Sequence, residues 1–170
     1  MTRVFAAGLA ALALVAGVAC DDSPTSPSDT ITLSAQLSPA NEVPPVSNAE
    51  ASGSGTVTIR LRVTRDSAGT ITAANADFEV TLAGFPPATA LTMAHIHQAA
   101  VGTNGSIVVD TGLTPGQTTL ATGAGSFTKN GIDVTPAIAQ AIVADPSGFY
   151  FNIHTVLNSD GAARGQLTRS

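Results

Sequence analysis

The chain has 170 residues, of which 44% are hydrophobic, 11% are charged and 4% are aromatic, and its formal net charge is −5. This composition fits one domain with a substantial apolar core and excludes a coiled coil, a disordered acidic chain and a disulfide-rich scaffold. The negative charge and the single lysine, Lys129, also argue against a nucleic-acid partner, because phosphate binding requires a basic surface.

The first twenty residues have the pattern of an export signal. Arg3 precedes an apolar run over residues 4–18, and small residues then lead to Cys20. A positive start, a short apolar stretch and a small-residue cleavage site are typical of a signal peptide, and the run is shorter than the ~20 residues that span a bilayer as a helix. We therefore predict an export signal over residues 1–19, with an uncleaved membrane anchor as the alternative.

Cys20 is the only cysteine, so it has no disulfide partner within the chain. Residues 16–20, AGVAC, resemble a bacterial lipobox, in which the cysteine is lipidated and becomes the first residue of the mature protein. Residues 20–29 continue as a Ser/Pro-rich segment without apolar side chains, which is typical of a flexible tether. We predict a lipid-anchored protein of the cell envelope, with plain secretion as the alternative.

The domain, which we place at residues 30–168, contains alternating segments that predict strands. Apolar and polar side chains alternate over residues 56–64, which is the period of a strand with one buried and one solvated face. A turn at residues 66–69 and a second alternating segment at about residues 70–82 complete a hairpin. Two prolines at 86 and 87 end it, because proline cannot donate to a sheet ladder.

The next segments continue the strand pattern. Residues 91–98 predict a strand, and residues 107–110 predict its partner. The intervening pair Asn104-Gly105 favours a tight turn. Residues 123–129 predict one more strand.

One short helix is predicted at residues 136–144. Thr135 is a suitable N-cap and Pro136 fits the first helical position. Strands at residues 148–156 and 164–168 close the domain. Several short strands separated by turns predict an all-β sandwich with Greek-key or meander connections.

The three histidines carry the clearest chemical signal. His95 and His97 alternate on one strand, so both imidazoles project from the same face with Cα atoms ~6–7 Å apart. Nitrogens at that separation can bind one metal ion at roughly 2.0–2.1 Å. His154 lies on another predicted strand and could complete a set of three ligands.

Strand parity predicts the face on which these residues lie. In the strand that contains residue 154, the aromatic and isoleucine side chains alternate with Tyr150, Asn152 and His154, which share the opposite face. His95 and His97 also lie opposite the apolar side of their strand. If the two strands are neighbours, the histidines occupy the outer face of one sheet, and we expect a shallow, solvent-open site with a vacant position for water or substrate.

Imidazole ligands favour zinc or copper over magnesium or calcium, and Met93 would favour copper if it approached the ion. Glu42 and Asp110 are candidates for a fourth ligand, and Tyr150 and Asn152 are candidates for ligands or their neighbours. Two readings without a metal remain open: the histidines form part of a polar strand face, or they are buried and bonded to carbonyls.

Other chemistry has little support in the sequence. Cys20 lies outside the domain, which excludes thiol catalysis there. The chain has no Gly-x-Ser-x-Gly motif, and its glycine pairs miss the spacings of phosphate-binding loops. No organic cofactor is expected.

Four segments resemble the CHRD (chordin-type) domain family. Residues 40–46, ANEVPPV, resemble its opening, and residues 94–97, AHIH, resemble its middle. Residues 149–155, FYFNIHT, resemble its Tyr-x-Asn-x-His-Thr strand, and residues 164–167, RGQL, resemble its closing motif. In this order the segments cover nearly all of the predicted domain.

The resemblance implies an immunoglobulin-like antiparallel β-sandwich that is frequently exported and has no settled activity. Its recurrent histidines match His95, His97 and His154, and its opening motif gives Glu42 a reason to lie near them. For Arg164 we expect a salt bridge or a tie to the backbone.

Three functions remain open at this point. The favoured one is an exported, tethered binding module that holds a metal ion or presents loops to a protein or surface partner. The second is a mononuclear copper oxidoreductase, distantly similar to copper–zinc superoxide dismutase, whose dinuclear site requires more histidines than this chain has. The third is a structural surface domain. We expect binding rather than catalysis.

Overall fold

The computed structural model describes Met1 and residues 28–170. The predicted export signal, Cys20 and most of the predicted tether lie outside the described residues. No helix among the described residues is long and apolar enough to cross a membrane.

The described chain contains ten strands, one α-helix and two short 3-10 helices. The strands are β1 (Ser28–Leu37), β2 (Ser54–Arg65), β3 (Ile71–Ala83), β4 (Thr89–Gln98), β5 (Ser106–Asp110), β6 (Thr119–Leu120), β7 (Gly125–Asp133), β8 (Phe149–Thr155), β9 (Ala163–Gln166) and β10 (Thr168–Arg169). The helix α1 spans Pro136–Ala144, and the 3-10 helices span Pro39–Asn41 and Pro146–Gly148.

The strands form two antiparallel sheets, which confirms the predicted all-β sandwich with one short helix. One sheet has the order β10-β1-β2-β3-β7, and the other has the order β5-β4-β8-β9, with β6 paired to β4. The helix begins and ends where it was predicted, and the Thr135 side chain accepts a hydrogen bond from the Ile138 N–H. The last predicted strand, at residues 164–168, corresponds to two short strands, β9 and β10. These belong to different sheets, so this segment of the chain passes from one layer to the other.

Strand β1 is the longest element that was not predicted from the sequence. It begins at Ser28 and pairs with β2 from Ser28 opposite Thr64 to Leu37 opposite Gly55. Its buried side chains alternate with less buried ones, and this pattern is visible in the sequence. The last two residues of the predicted tether are therefore part of the sheet.

The core lies between the two sheets. Phe78 of β3 and Phe151 of β8 are both fully buried, and their rings stack with centroids 5.9 Å apart. This contact joins the inner faces of the two sheets, as the alternation in β8 predicts. All seven residues of β8 are nevertheless buried, so its outer face is covered as well.

Candidate metal centre

Strands β4 and β8 are neighbours, and their pairing brings the three histidines to one place. The register pairs each histidine with a residue of the other strand: His95 with Asn152, His97 with Tyr150, and His154 with Met93. The histidines, Tyr150 and Asn152 therefore share the outer face of this sheet, as strand parity predicts.

One nitrogen of each imidazole lies within 4.8 Å of a nitrogen of the other two. Nδ1 of His95 and Nε2 of His154 are 3.2 Å apart. Ligand atoms of a tetrahedral ion with bonds of 2.0–2.1 Å lie about 3.3 Å from one another. The separation of these two nitrogens therefore fits two ligands of one ion.

The second nitrogen of each ring faces an oxygen atom. Nδ1 of His97 lies 2.9 Å from the Gly105 carbonyl oxygen, and Nδ1 of His154 lies 2.8 Å from the Ser159 carbonyl oxygen. Because a carbonyl only accepts, both Nδ1 atoms carry the proton, and each Nε2 atom keeps a lone pair that can bind a metal ion. Nε2 of His95 lies 3.8 Å from a carboxylate oxygen of Asp110.

This arrangement is typical of histidines that bind metals. In such histidines one ring nitrogen binds the ion, and the other, here called the outer nitrogen, is held by a carbonyl or a carboxylate. Nε2 of His97 is buried and has no hydrogen-bond partner within the described part of the chain. An unpartnered buried acceptor is costly, and a metal ion would satisfy it. The donor set and its surroundings therefore fit zinc or copper.

Burial also controls the protonation of the cluster. Burial and the neighbouring His154 lower the pKa of His95 to about 4, against the opposing effect of Asp110. Burial likewise lowers the pKa of His154. Both imidazoles are therefore neutral near pH 7, which is the form that binds metals.

The centre is not the shallow, solvent-open site expected from the sequence. The three histidines are only 2%, 8% and 5% exposed. The loops that supply Gly105 and Ser159 lie against the outer face of the sheet and cover the rings. Strand parity identifies the face of a side chain, but it carries no information about loops that pack on that face.

The residues that the sequence offered as a fourth ligand lie outside the histidine cluster. Neither Glu42 nor Asp110 belongs to the group of ligand atoms within 4.8 Å of one another. Asp110 is 66% exposed and faces the outer nitrogen of His95. Asn152 lies beside His95 on one side and Arg164 on the other, and its buried Oδ1 has no partner among the described residues.

The Tyr150 ring packs against the His97 ring. The two rings stack with centroids 4.8 Å apart and planes 4° apart, and the Arg164 guanidinium carbon lies 4.6 Å from the Tyr150 centroid. The Gly105 N–H donates to the Tyr150 hydroxyl oxygen at 3.3 Å, while the Gly105 carbonyl accepts from His97. A Cβ at residue 105 would clash with the Gln98 carbonyl, so this close approach requires glycine.

Arg164 is the main tie between the loops of this region, which confirms the expected backbone tie and salt bridge. It is 3% exposed, and its Nε donates to the Asn41 carbonyl at 2.6 Å. Its Nη1 donates to the Thr103 carbonyl at 3.2 Å and to Oδ1 of Asn104 at 2.8 Å. A Glu42 carboxylate oxygen lies 3.9 Å from Nε.

Glu42 is a buried acid next to this network. Burial raises its pKa to about 7, and the Arg164 cation opposes the shift. Its Oε1 has no hydrogen-bond partner within the described chain. Sequence reasoning identified the residue but not its neighbours, and it missed Gly105 and Ser159, which act through backbone carbonyls that any residue type supplies.

Residues 33–167 match the family model described as CHRD domain. No curated protein and no solved structure matches the chain. The matched range contains the three histidines, Glu42 and Arg164.

Proposed function

The chain belongs to the CHRD domain family, and from this membership we propose that it is an exported binding module that holds one transition-metal ion on His95, His97 and His154. The observation that carries the proposal is the convergence of three imidazole nitrogens within 4.8 Å. The outer nitrogens of His97 and His154 are held by backbone carbonyls, so the ligand atoms are oriented before a metal binds. Zinc and copper both suit this donor set.

The ion would connect parts of the chain that are far apart in sequence. Two ligands come from β4 and one from β8, and their carbonyl partners belong to two separate loops. Metal binding would therefore hold both loops against the sheet. A binding module gains from such a site because ordered loops lose less conformational entropy when a partner binds.

A second candidate function is a mononuclear copper oxidoreductase. It is supported by the absence of a fourth His, Cys, Asp or Glu side chain from the cluster among the described residues. A position not filled by the protein is typical of catalytic metal sites. The low exposure of the rings restricts this position to ligands of a few atoms. Turnover assays on the metal-loaded protein separate this function from simple binding.

The metal proposal predicts about one zinc or copper ion per chain. In the test, the full chain is expressed without a histidine tag and purified in the form that remains after processing by the expressing cells. Bound metals are then measured by mass spectrometry. His97→Gln removes the ligand whose Nε2 has no other partner, so we expect that variant to retain less than a tenth of the metal, in line with losses of about 10–100-fold from lesser changes around metal ligands.

Tyr150→Phe is the matched control, because it keeps the ring stacked on His97 and removes only the hydroxyl that accepts from Gly105. We expect it to retain its metal. A folded wild-type protein that takes up neither zinc nor copper after loading would contradict the proposal and leave the structural surface domain.

We also propose that residues 1–19 direct export and that a lipid on Cys20 anchors the protein through the tether. Strand β1 begins at Ser28 and runs for ten residues toward the loop that contains Glu42. At ~3.3 Å per residue the strand is about 30 Å long. The metal centre would therefore lie at the end of the domain that points away from the membrane.

The anchor predicts that Cys20→Ser moves the protein from the membrane fraction to the soluble fraction. The acyl chains of the lipid supply the membrane affinity. Serine has no sulfur and cannot form the thioether bond that attaches the lipid to Cys20. Detergent phase partitioning measures the shift, and Ser23→Ala, a neighbouring change that keeps the thiol, serves as the control. Equal membrane association of both variants would rule out the lipid.

A further inference from the structure

A polar cavity of about 270 Å³ lies between two loops, residues 42–48 and residues 157–161. Its acidic lining residues are Glu42 and Asp160, and none of its lining residues is lysine, arginine or histidine. Apolar surface is also present, since Leu157 is 55% exposed and Val43 is 36% exposed. The cavity therefore combines negative charge with an apolar wall.

The buried part of the lining consists of Glu42 and Gly161. Glu42 is 6% exposed, and its Oε1 has no hydrogen-bond partner within the described chain. Gly161 has a φ of 145°, and a Cβ there would lie 2.6 Å from Oε2 of Glu42. Only glycine at this position allows the backbone to approach the Glu42 carboxylate so closely.

Arg164 does not supply a hydrogen-bond donor to this carboxylate. Its Nε and Nη1 atoms donate to Asn41, Thr103 and Asn104, and its shortest contact with Glu42 is 3.9 Å, to Oε2. The carboxylate therefore retains acceptor capacity for a ligand.

The two loops hold the cavity in shape without a ligand. The Asn48 side-chain amide donates to Oδ1 of Asn158 at 2.7 Å and joins one loop to the other. The Val46 N–H donates to the Pro39 carbonyl, and the Ser159 carbonyl accepts from His154. A preformed cavity binds its ligand with a smaller entropic cost.

We propose that this cavity binds a lysine side chain of a partner protein. The ammonium group would donate to the carboxylates of Glu42 and Asp160, and the aliphatic stem would lie against Pro44 and Leu157. An ammonium on an apolar stem matches the lining in both charge and polarity. A bare divalent ion matches it less well, because the cavity is far larger than an ion and part of its wall is apolar. The inference extends the proposed binding role and requires no metal.

The test is a titration of the ¹⁵N-labelled protein with Nα-acetyl-lysine N-methylamide, followed by NMR. The protein is used in the form that remains after processing by the expressing cells. We expect saturable chemical-shift changes confined to residues 42–48 and 157–161. The norleucine analogue, which has the same stem without the charge, should bind at least about 10-fold more weakly because it leaves the carboxylates unpaired.

Asp160→Asn should weaken lysine binding by about 3- to 5-fold, which is the effect of one exposed ion pair. Asp133→Asn is the matched control, because it removes one exposed negative charge from β7, outside the cavity, and should leave the affinity unchanged. Lysine binding should persist after chelation of metals with EDTA, because the Asn48–Asn158 hydrogen bond joins the two loops without the ion. This persistence separates the proposal from the metal site.

Four outcomes would overturn the proposal. Three are equal binding of the norleucine analogue, equal binding to folded Asp160→Asn, and shifts at the same residues with calcium but not with the lysine analogue. The fourth is stronger binding of the arginine analogue, because the specificity for an ammonium group would be lost.

Discussion

Removal of the metal ion is expected to lower the thermal midpoint of the protein by about 10 °C. A ligand that binds only the folded state stabilises it by about 4 kcal/mol when present at a thousand times its Kd. For a domain of this size, one kcal/mol corresponds to about 2–4 °C in the midpoint. Circular dichroism melts with and without EDTA, followed by readdition of zinc, measure the difference.

The same melts discriminate between the metal centre and general effects of chelation. The midpoint of His97→Gln should not respond to EDTA, whereas that of Tyr150→Phe should respond as the wild type does. A wild-type midpoint that is unchanged by EDTA, in protein shown to have contained metal, would mean that the ion does not hold β4, β8 and their loops together.

Arg164→Ala is expected to lower the free energy of unfolding by about 4 kcal/mol. A buried acceptor that loses its hydrogen-bond donor typically costs about 1–3 kcal/mol. Here the change leaves the carbonyls of Asn41 and Thr103 and Oδ1 of Asn104 without their donor, and it removes the guanidinium from the Tyr150 ring. Urea unfolding followed by circular dichroism measures the loss.

Arg62→Ala is the matched control for this prediction. Arg62 pairs with Asp77 across the exposed face of β2 and β3, and 47% of its side chain is exposed. Exposed pairs contribute at most about 1 kcal/mol. Similar losses for the two variants would mean that Arg164 acts only as a surface charge and does not tie the loops to β9.

Much of the fold was predictable because its signals are local. Alternation in residues 56–64 and in β8 identified strands and their buried faces, and the Thr135-Pro136 pair located the start of α1. The same parity placed His154 on the face opposite Phe151 without any knowledge of the sheet order. Strand β1 shows the same alternation but was not predicted, and the tether prediction accounts for only its first two residues, Ser28 and Asp29.

The composition of the candidate site was predictable, but its surroundings were not. Residue type and spacing identify His95 and His97 as a pair of candidate ligands, because their imidazole nitrogens bind zinc or copper and project from the same face of the strand. The partners that orient the rings are backbone carbonyls of Gly105 and Ser159, and a carbonyl has no signature in a sequence. The tie from Arg164 to Thr103 spans 61 residues and is equally invisible in local patterns.

The amino-acid sequence by itself determined the sandwich class, the face on which each strand residue lies and the three residues able to bind a metal. These properties follow from side-chain chemistry and the two-residue period of a strand, which neighbouring residues alone define. Only the tertiary structure decided that β4 and β8 are neighbours, that the imidazoles are buried and that Glu42 lines a cavity beside them. Those properties depend on which loops pack over the sheet, and contacts between distant segments determine that packing.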